Sequence, residues 1–193
     1  MTHEPLQPRA LRTARLLLRQ WRDEDRHPFA VMNADPRVME YFPAPLSQEQ
    51  SDAMADRCAA GIAERGWGLW AAEVPGVAPF IGFIGLAIAG PDLRCAGATE
   101  VGWRLAHPHW GQGYATEGAR AAIRFAFSEL HLDEIVSFTA AVNHRSEQVM
   151  QKLGMTRDPE YFEHPRCPEG PIRAHVLYHL RNADWRRRVA KVE

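Results

Sequence analysis

The amino-acid sequence predicts a single domain of mixed α/β (α+β) class. Segments with the alternating polarity of strands and segments with the helical spacing of apolar residues follow one another along the whole chain of 193 residues. No internal repeat or linker-like stretch divides the chain, and its length suits one hydrophobic core. We therefore assign residues 1–193 to one domain, with a core that extends from residue 13 to residue 181.

The first half of the chain predicts strands and helices bounded by turn and cap residues. Ser47 followed by Gln50 outlines a capping box, and apolar residues then recur at helical spacing. Two strand-like runs on either side of a proline-bearing turn predict an antiparallel hairpin. The predicted elements are a strand from Thr13 to Trp21, a helix that begins at Asp23 or Asp25, a short helix from Asp35 that presents Val38, Met39 and Phe42, a helix from Ser47 to about Glu64, and a hairpin of Leu69 to Val74 with Phe80 to Ile88.

The second half predicts three strands and two helices. Alanines at helical spacing form one narrow apolar stripe after residue 114, which predicts a helix packed closely against a sheet. Asn143 is a cap residue and Gly154 a typical helix-terminating glycine. The predicted elements are a strand from Thr99 to Ala106, a helix from Thr116 to Leu130, a strand within His131 to Val142, a helix from Asn143 to Gly154, an excursion that includes Pro165 to Pro171, and a strand from Ala174 to Leu180.

Composition and charge restrict the class of protein. A hydrophobic content of 46% fits a globular protein, and a net charge of −1 gives no general attraction to nucleic acid or to an anionic membrane. The longest apolar run, Phe80 to Gly90, is much shorter than a membrane span, and no signal peptide is recognisable. Three widely spaced cysteines indicate neither a disulfide framework nor a zinc site, so we expect a protein of the cytoplasm.

A glycine pair lies between a predicted strand and a predicted helix, in the segment HPHWGQGYAT. Gly111 and Gly113 open that helix, where unpaired N–H groups and the helix dipole favour an anion such as a phosphate. No Lys-Ser or Lys-Thr follows, which excludes a Walker loop. A dinucleotide site would need a glycine at Thr116 and a distant acidic residue, and this disfavours an NAD-dependent oxidoreductase. Taken alone, the glycines are equally compatible with a simple connecting turn.

The run TEVGWRLAHPHWGQGYATEGARAAIRFAF resembles the acetyl-CoA-binding core of the GNAT acetyltransferase superfamily, in particular the branch that acetylates N-terminal alanines of ribosomal proteins. Gly113 and Ala115 fit the family's loop pattern, whereas Trp110 replaces its first residue, an arginine or glutamine. The segments NHRS with VMQKLGM, and RLLLRQWRDED, extend the resemblance. It implies a mostly antiparallel sheet, flanked by helices and splayed at the acetyl-CoA site.

The resemblance also implies roles for single residues. Glu100 corresponds to the glutamate that accepts the amine proton, and Ser146 to the serine that protonates the CoA thiolate. Two alternatives remain open, because Glu100 could instead form an ion pair with Arg104 or Arg120, and Ser146 could only support a helix cap. The residues expected to hold acetyl-CoA are the backbone of Trp103, Arg104 and Leu105, the loop residues Trp110, Gly111, Gln112, Gly113, Tyr114, Ala115 and Thr116, and Asn143 with Ser146.

The acceptor site is less defined by the sequence. We expect that Trp67, Trp70, His164 and Arg173 contribute to it. We expect no metal site, since the histidines lack the partners of a zinc motif. The predicted function is acetyl transfer from acetyl-CoA to a primary amine, in the first place a peptide or protein N-terminus. The alternatives are a CoA-binding module without catalysis and an enzyme for polyamines or aminoglycosides. We expect a monomer or a homodimer, with neither nucleic acid nor membrane as a partner.

Overall fold

The computed structural model describes residues 9–190, so the two ends of the predicted domain, residues 1–8 and 191–193, lie outside it. Eight strands form one sheet in the order β1-β2-β3-β4-β5-β6-β8-β7. The strands are β1 (Leu11–Arg12), β2 (Leu17–Arg19), β3 (Leu69–Val74), β4 (Ala78–Ile88), β5 (Thr99–Leu105), β6 (Glu134–Ala140), β7 (Thr156–Glu163) and β8 (Ala174–Arg181). The helices are α1 (Arg26–Ala34), α2 (Gln48–Arg65), α3 (Tyr114–Ser128), α4 (His144–Leu153) and α5 (Asn182–Val189).

All neighbouring strands are antiparallel except β5 and β6, which are parallel. This confirms the predicted mixed, mostly antiparallel sheet. Helix α3 packs against one face, where the Cβ position of Gly118 lies against the side chain of Ile84. Its stripe of alanines is buried as predicted, with Ala119, Ala122 and Ala126 fully inaccessible. Helices α1 and α2 cover the opposite face, where the ring of Phe29 contacts that of Phe83.

Two of the predicted elements differ from the structure. Of the strand predicted from Thr13 to Trp21, only Leu17 to Arg19 forms, as β2, and it pairs with β1 before it; the Thr13 hydroxyl accepts a hydrogen bond of 2.8 Å from the Leu16 N–H and closes the turn between them. The short helix from Asp35 is a series of turns. Asp35 has an extended backbone, and its carboxylate binds both the N–H and the guanidinium of Arg37, which favours a turn over a helix.

Other differences concern boundaries. Helix α3 begins two residues before the predicted Thr116, because Gly113 caps it in the left-handed conformation with φ of 82°. Helix α5 is absent from the prediction, which treated the arginines near the C-terminus as a solvated tail, and those arginines are indeed exposed. No helix within residues 9–190 has the length and apolar character to cross a membrane.

Candidate active site

A cavity of about 820 Å³ opens where β5 and β6 separate. The two strands are paired only at Glu100 and Val136, and beyond that pair they diverge. The β6-facing peptide groups of β5 after Glu100 therefore have no strand partner, and they border the cavity at Trp103, Arg104 and Leu105. Unpaired peptide groups of this kind can bind an extended ligand. The splay that the family resemblance implied is thus present.

The start of α3 forms one end of the cavity. Gly111 and Gly113 have φ values of 74° and 82°, and both border the cavity together with Tyr114, Ala115 and Thr116. The N–H groups of these last three residues donate to no acceptor among residues 9–190. Free amides at the positive end of a 15-residue helix are suited to an anion such as a pyrophosphate.

A charged brace from the first hairpin holds this loop in place. The Arg15 guanidinium donates to the carbonyl of Gln112 at 2.9 Å and forms an ion pair of 2.6 Å with Glu117. Glu117 also accepts hydrogen bonds from the Thr13 hydroxyl and the Arg15 N–H. The pKa of Glu117 is lowered because these hydrogen bonds outweigh the effect of its partial burial. The loop therefore has a fixed shape before any ligand binds.

Two other predicted loop residues act differently from each other. The indole N–H of Trp110 donates to the Leu105 carbonyl at 2.7 Å, so this side chain ties the loop back to the end of β5 while it borders the cavity. The side chain of Gln112 is exposed and donates to the Pro108 carbonyl, and Gln112 does not line the cavity. Of these two residues, therefore, only Trp110 lies at the predicted cofactor site.

Glu100 lies on β5 at the point where the strands separate, and its side chain borders the cavity. Within residues 9–190 it forms neither an ion pair nor a hydrogen bond, so the alternative of a pair with Arg104 or Arg120 is not supported. Burial raises the pKa of its carboxyl to about 8. A carboxyl that titrates near neutral pH inside a cleft is suited to general acid–base chemistry.

Asn143 and Ser146 lie on the opposite wall, at the start of α4. The Asn143 side chain caps the helix by accepting from the Ser146 N–H at 3.2 Å, and its amide donates to the hydroxyls of Thr139 and Ser146. The capping role therefore belongs to Asn143. The Ser146 hydroxyl accepts one of these bonds, donates to no group among residues 9–190, and borders the cavity.

The predicted acceptor residues are only partly brought together. His164 borders the cavity, but Trp70 is completely buried, with its indole N–H bonded to the Arg9 carbonyl and its ring against Phe125. Trp67 packs against the core under Arg65, away from the cavity. Arg173 forms an ion pair of 3.0 Å with Glu163 and borders a separate, smaller cavity. Trp67, Trp70 and Arg173 therefore do not line the main cavity.

Sequence patterns missed several side chains of this wall. The connection between α1 and α2 contributes Tyr41, Phe42 and Pro43, which border the cavity although the predicted helix there does not form. His175 on β8 lies with its ring 4.7 Å from that of His164. Burial lowers the pKa of His164 and lowers that of His175 to about 4, so both rings are neutral at neutral pH. Within the described part of the chain, no group of acidic, histidine or cysteine side chains is arranged to hold a metal ion.

Comparison with known proteins relates this chain to one family. The sequence model of the acetyltransferase (GNAT) domain matches residues 15–156. The chain is 32% identical over 187 residues to the FsC-acetyl coenzyme A-N(2)-transacetylase of Aspergillus fumigatus, a match that covers 92% of this chain and 78% of that protein. A crystal structure of an acetyltransferase from Agrobacterium tumefaciens has a TM-score of 0.73 at 29% identity, over 89% of this chain and 94% of that one. A GNAT-family acetyltransferase from Bacillus anthracis has the same fold, with a TM-score of 0.74 at 22% identity over 91% and 99% of the two chains.

Proposed function

This chain belongs to the GNAT acetyltransferase family and is an acetyl-CoA-dependent acyltransferase, and we propose that its acceptor is a primary amine, in the first place the N-terminal amine of a peptide or protein. The observation that carries this proposal is the Glu100 carboxyl at the splay of β5 and β6, which has no ion-pair or hydrogen-bond partner among residues 9–190 and whose pKa is raised to about 8 by desolvation. An amine must lose a proton to become an amide, and Glu100 borders the same cavity as the free amides of α3.

We propose that the chain holds acetyl-CoA along the cavity. The amides of Tyr114, Ala115 and Thr116 fit the pyrophosphate, because they are free and lie at a helix N-terminus. The unpaired backbone of β5 from Trp103 to Leu105 fits the pantetheine arm, with Asn143 on the facing wall. The bound cosubstrate supplies the acetyl group as a thioester.

In the proposed reaction the amine nitrogen bonds to the thioester carbonyl carbon, and the carbon–sulfur bond breaks. Ionised Glu100 accepts the proton that the nitrogen loses, and the Ser146 hydroxyl donates a proton to the departing sulfur. Direct transfer is favoured over an acetyl-cysteine, because burial raises the pKa of Cys95 and Cys167, and raises that of Cys58 to about 11. Thiols of this kind are weak nucleophiles at neutral pH.

The peptide N-terminus is the first candidate acceptor because of the charges at the cavity. Arg104 and Lys152 border it without an ion-pair partner among residues 9–190, whereas Arg145 and Arg166 border it paired with Glu40 and Asp92. Glu100 is the single carboxylate among the described lining residues, so a polycation would find little compensating charge. An α-amine also has a pKa near 8, against about 10.4 for lysine, and therefore presents more neutral nucleophile. A small-molecule amine is the second candidate, favoured by the 32% identity to a relative whose name specifies an N(2) nitrogen of FsC.

An acetyl-CoA assay that measures released thiol tests the proposal. The acceptors are an Ala-initiated peptide, the same peptide with a blocked N-terminus and one free lysine, and spermidine. We expect the first to be acetylated with the highest kcat/KM. Glu100→Gln should reduce this rate about 100-fold or more, in the range of general-base removal, whereas Glu64→Gln on the exposed surface of α2 should not.

The outcomes separate the competing functions. A faster reaction with spermidine or with the blocked lysine peptide would reject the N-terminal acceptor and retain an N-acetyltransferase. Binding of CoA by calorimetry without turnover of any amine would instead support a CoA-binding module. With three free cysteines in the described residues, a reducing compartment such as the cytoplasm remains our proposed location.

A further inference from the structure

Arg104 is a cavity-lining arginine that has no acidic partner among residues 9–190. Its Nη1 donates to the Asn33 side-chain oxygen at 2.8 Å, and its Nε is buried without any hydrogen-bond partner. Among residues 9–190, no carboxylate lies within ion-pair distance of its guanidinium. The group is nevertheless charged at neutral pH, because burial lowers its pKa only to about 10. The charged group is thus partly enclosed and borders the cavity, and no carboxylate among residues 9–190 offsets its charge.

The walls around this guanidinium are aromatic. It lies 4.0 Å from the ring centre of Phe42 and 5.5 Å from that of Phe83, and both rings border the cavity. Aromatic faces stabilise a cation in part, but they accept no conventional hydrogen bond. A guanidinium that is partly shielded from water forms stronger charge-assisted hydrogen bonds with an anion than an exposed one does. The unused donors of Arg104 at the cavity are therefore suited to a ligand oxygen.

Arg104 and Glu100 occupy the same face of β5. The strand alternates, so Glu100, Gly102 and Arg104, which we call the β5 strip, all face the side of the sheet that α1 and α2 cover. The Glu100 carboxyl lies over Gly102, because its Oε1 is 3.5 Å from the position that a Cβ atom would take on Gly102. Two further residues of strand, roughly 7 Å, separate that point from the Arg104 backbone. A ligand about one residue long matches this separation along the strand.

We propose that Arg104 binds a carboxylate of the acceptor, placed about one residue away from the amine that is acetylated. This inference rests on the proposed function and narrows its substrate class. In a peptide the carboxylate is an acidic side chain next to the first residue, or the C-terminus of a dipeptide. In a small molecule it is a free carboxylate close to the reacting amine.

A phosphate of CoA is a weaker candidate for the same guanidinium. The free amides that fit the pyrophosphate belong to α3, which packs on the other face of the sheet from α1 and α2. The Arg104 side chain instead contacts Asn33 of α1 and Met54 of α2. Its direction therefore favours the acceptor over the cosubstrate.

The experiment compares acceptors that differ in one charge. The pairs are Ala-Ala and Ala-Ala-amide, and Ala-Glu-Ala-amide and Ala-Gln-Ala-amide, each assayed for kcat/KM at saturating acetyl-CoA. We expect the carboxylate member of at least one pair to be preferred about tenfold or more, as for a hydrogen bond between two charged groups. In Arg104→Met this preference should fall below about twofold. Arg104→Lys, which keeps the charge, should retain part of it.

Two further measurements separate recognition from a structural role. Arg57→Met removes an equal charge from the exposed surface of α2 and should leave the preference unchanged. The melting temperature of Arg104→Met should stay within about 5 °C of that of the parent, because removal of an uncompensated charge offsets the loss of the hydrogen bond to the buried Asn33 oxygen. The affinity for CoA, measured by calorimetry, should not change.

Several results would overturn the inference. The parent enzyme could acetylate both members of each pair at equal rates, or the preference for the carboxylate member could persist in Arg104→Met. Either result would reject carboxylate recognition by Arg104. Unfolding of Arg104→Met, a melting temperature well below that of the parent, or a loss of affinity for CoA alone would assign Arg104 to structure or to the cosubstrate. Acetylation of amines without any carboxylate preference would reject the role of Arg104 and leave the proposed function intact. Absence of turnover with every amine would reject the proposed function, and the inference with it.

Discussion

Two enclosed arginines of this protein have opposite surroundings. Arg19, on β2, is 5% exposed and donates to both oxygens of Asp25 at 2.7 and 2.9 Å and to Glu73 at 2.7 Å. Burial alone would lower its pKa, but these bonds more than offset that effect and raise it. Arg104 has one amide partner and, among residues 9–190, no carboxylate. The comparison shows that the charge of Arg19, which joins β2 to β3, is neutralised by carboxylates, whereas the charge of Arg104 at the cavity is not.

The same contrast holds for carboxylates. Asp25 and Glu73 both accept hydrogen bonds from the Arg19 guanidinium, and we call these three residues the paired edge. Glu100 of the β5 strip accepts no such bond within the described residues. Buried charge without a partner reduces stability, so it persists where a ligand or a reaction makes use of it. The stability of the protein should therefore respond to substitution in the paired edge and in the β5 strip to different degrees.

The largest effect is expected at the paired edge. Arg19→Met leaves Asp25 buried without its counter-charge, and loss of one partner of such a pair costs about 3–5 kcal/mol in the free energy of unfolding. For a chain of this size the melting temperature should fall by about 10 °C. Scanning calorimetry of this variant beside Arg104→Met tests the comparison directly, since a similar fall in both would erase the difference between the two regions.

The next effect concerns the glycine loop. Gly113→Val should weaken CoA binding about 100-fold, close to 2.7 kcal/mol, because a β-branched residue is strained at this left-handed position and its Cβ would lie 3.4 Å from the Arg15 guanidinium that holds the loop, so the loop amides would be displaced. Gly76→Val is the matched control. Gly76 has φ of 76°, against 82° for Gly113, and lies in the β3–β4 turn away from the cavity, so the backbone strain is similar.

Calorimetry with CoA measures both glycine variants, and circular dichroism shows whether each is folded. Equal affinity of the two variants would mean that the loop amides do not hold the cosubstrate.

A smaller effect is expected at the facing wall. Ser146→Ala should lower kcat by about tenfold, since a proton donor to the thiolate is lost, at the modest end of general-acid contributions. Stability should change little, because Asn143 still accepts from the backbone N–H at this position. Ser128→Ala, at the exposed end of α3, is the control for hydroxyl removal. A loss of stability without a loss of kcat would assign Ser146 to the helix cap.

Much of this fold was predictable because its signals are local. The alanine stripe of α3, the Ser47 cap of α2 and the glycine after α4 each depend on neighbours in sequence, and all three are present. The strand predicted before the glycine loop also forms, as β5, and it contains Glu100. In contrast, the turn at Thr13 depends on the distant carboxylate of Glu117, which no local pattern records.

The acceptor wall could not be predicted for a similar reason. Trp70 and Trp67 were expected there because tryptophans often line binding sites, but burial is decided by the packing of β3 against α3 and not by residue type. A pair between Glu100 and Arg104 is equally a local expectation. In the structure the Arg104 guanidinium is directed instead to Asn33 of α1, and no carboxylate pairs with it among residues 9–190. That arrangement is visible only once every surrounding element is in place.

The most direct test of the account is the pH dependence of kcat/KM for two peptide acceptors with different amine pKa values. Because burial raises the pKa of Glu100 to about 8, the carboxyl is mostly protonated at neutral pH and the rate should rise as it ionises. We predict two ionisations in the parent, one that moves with the amine pKa of the acceptor and one near pH 8 that is the same for both acceptors, and loss of only the second in Glu100→Gln. A parent profile that contains only the ionisation of the amine, with the same shape in Glu100→Gln, would contradict the claim that the open carboxyl of the β5 strip is the base.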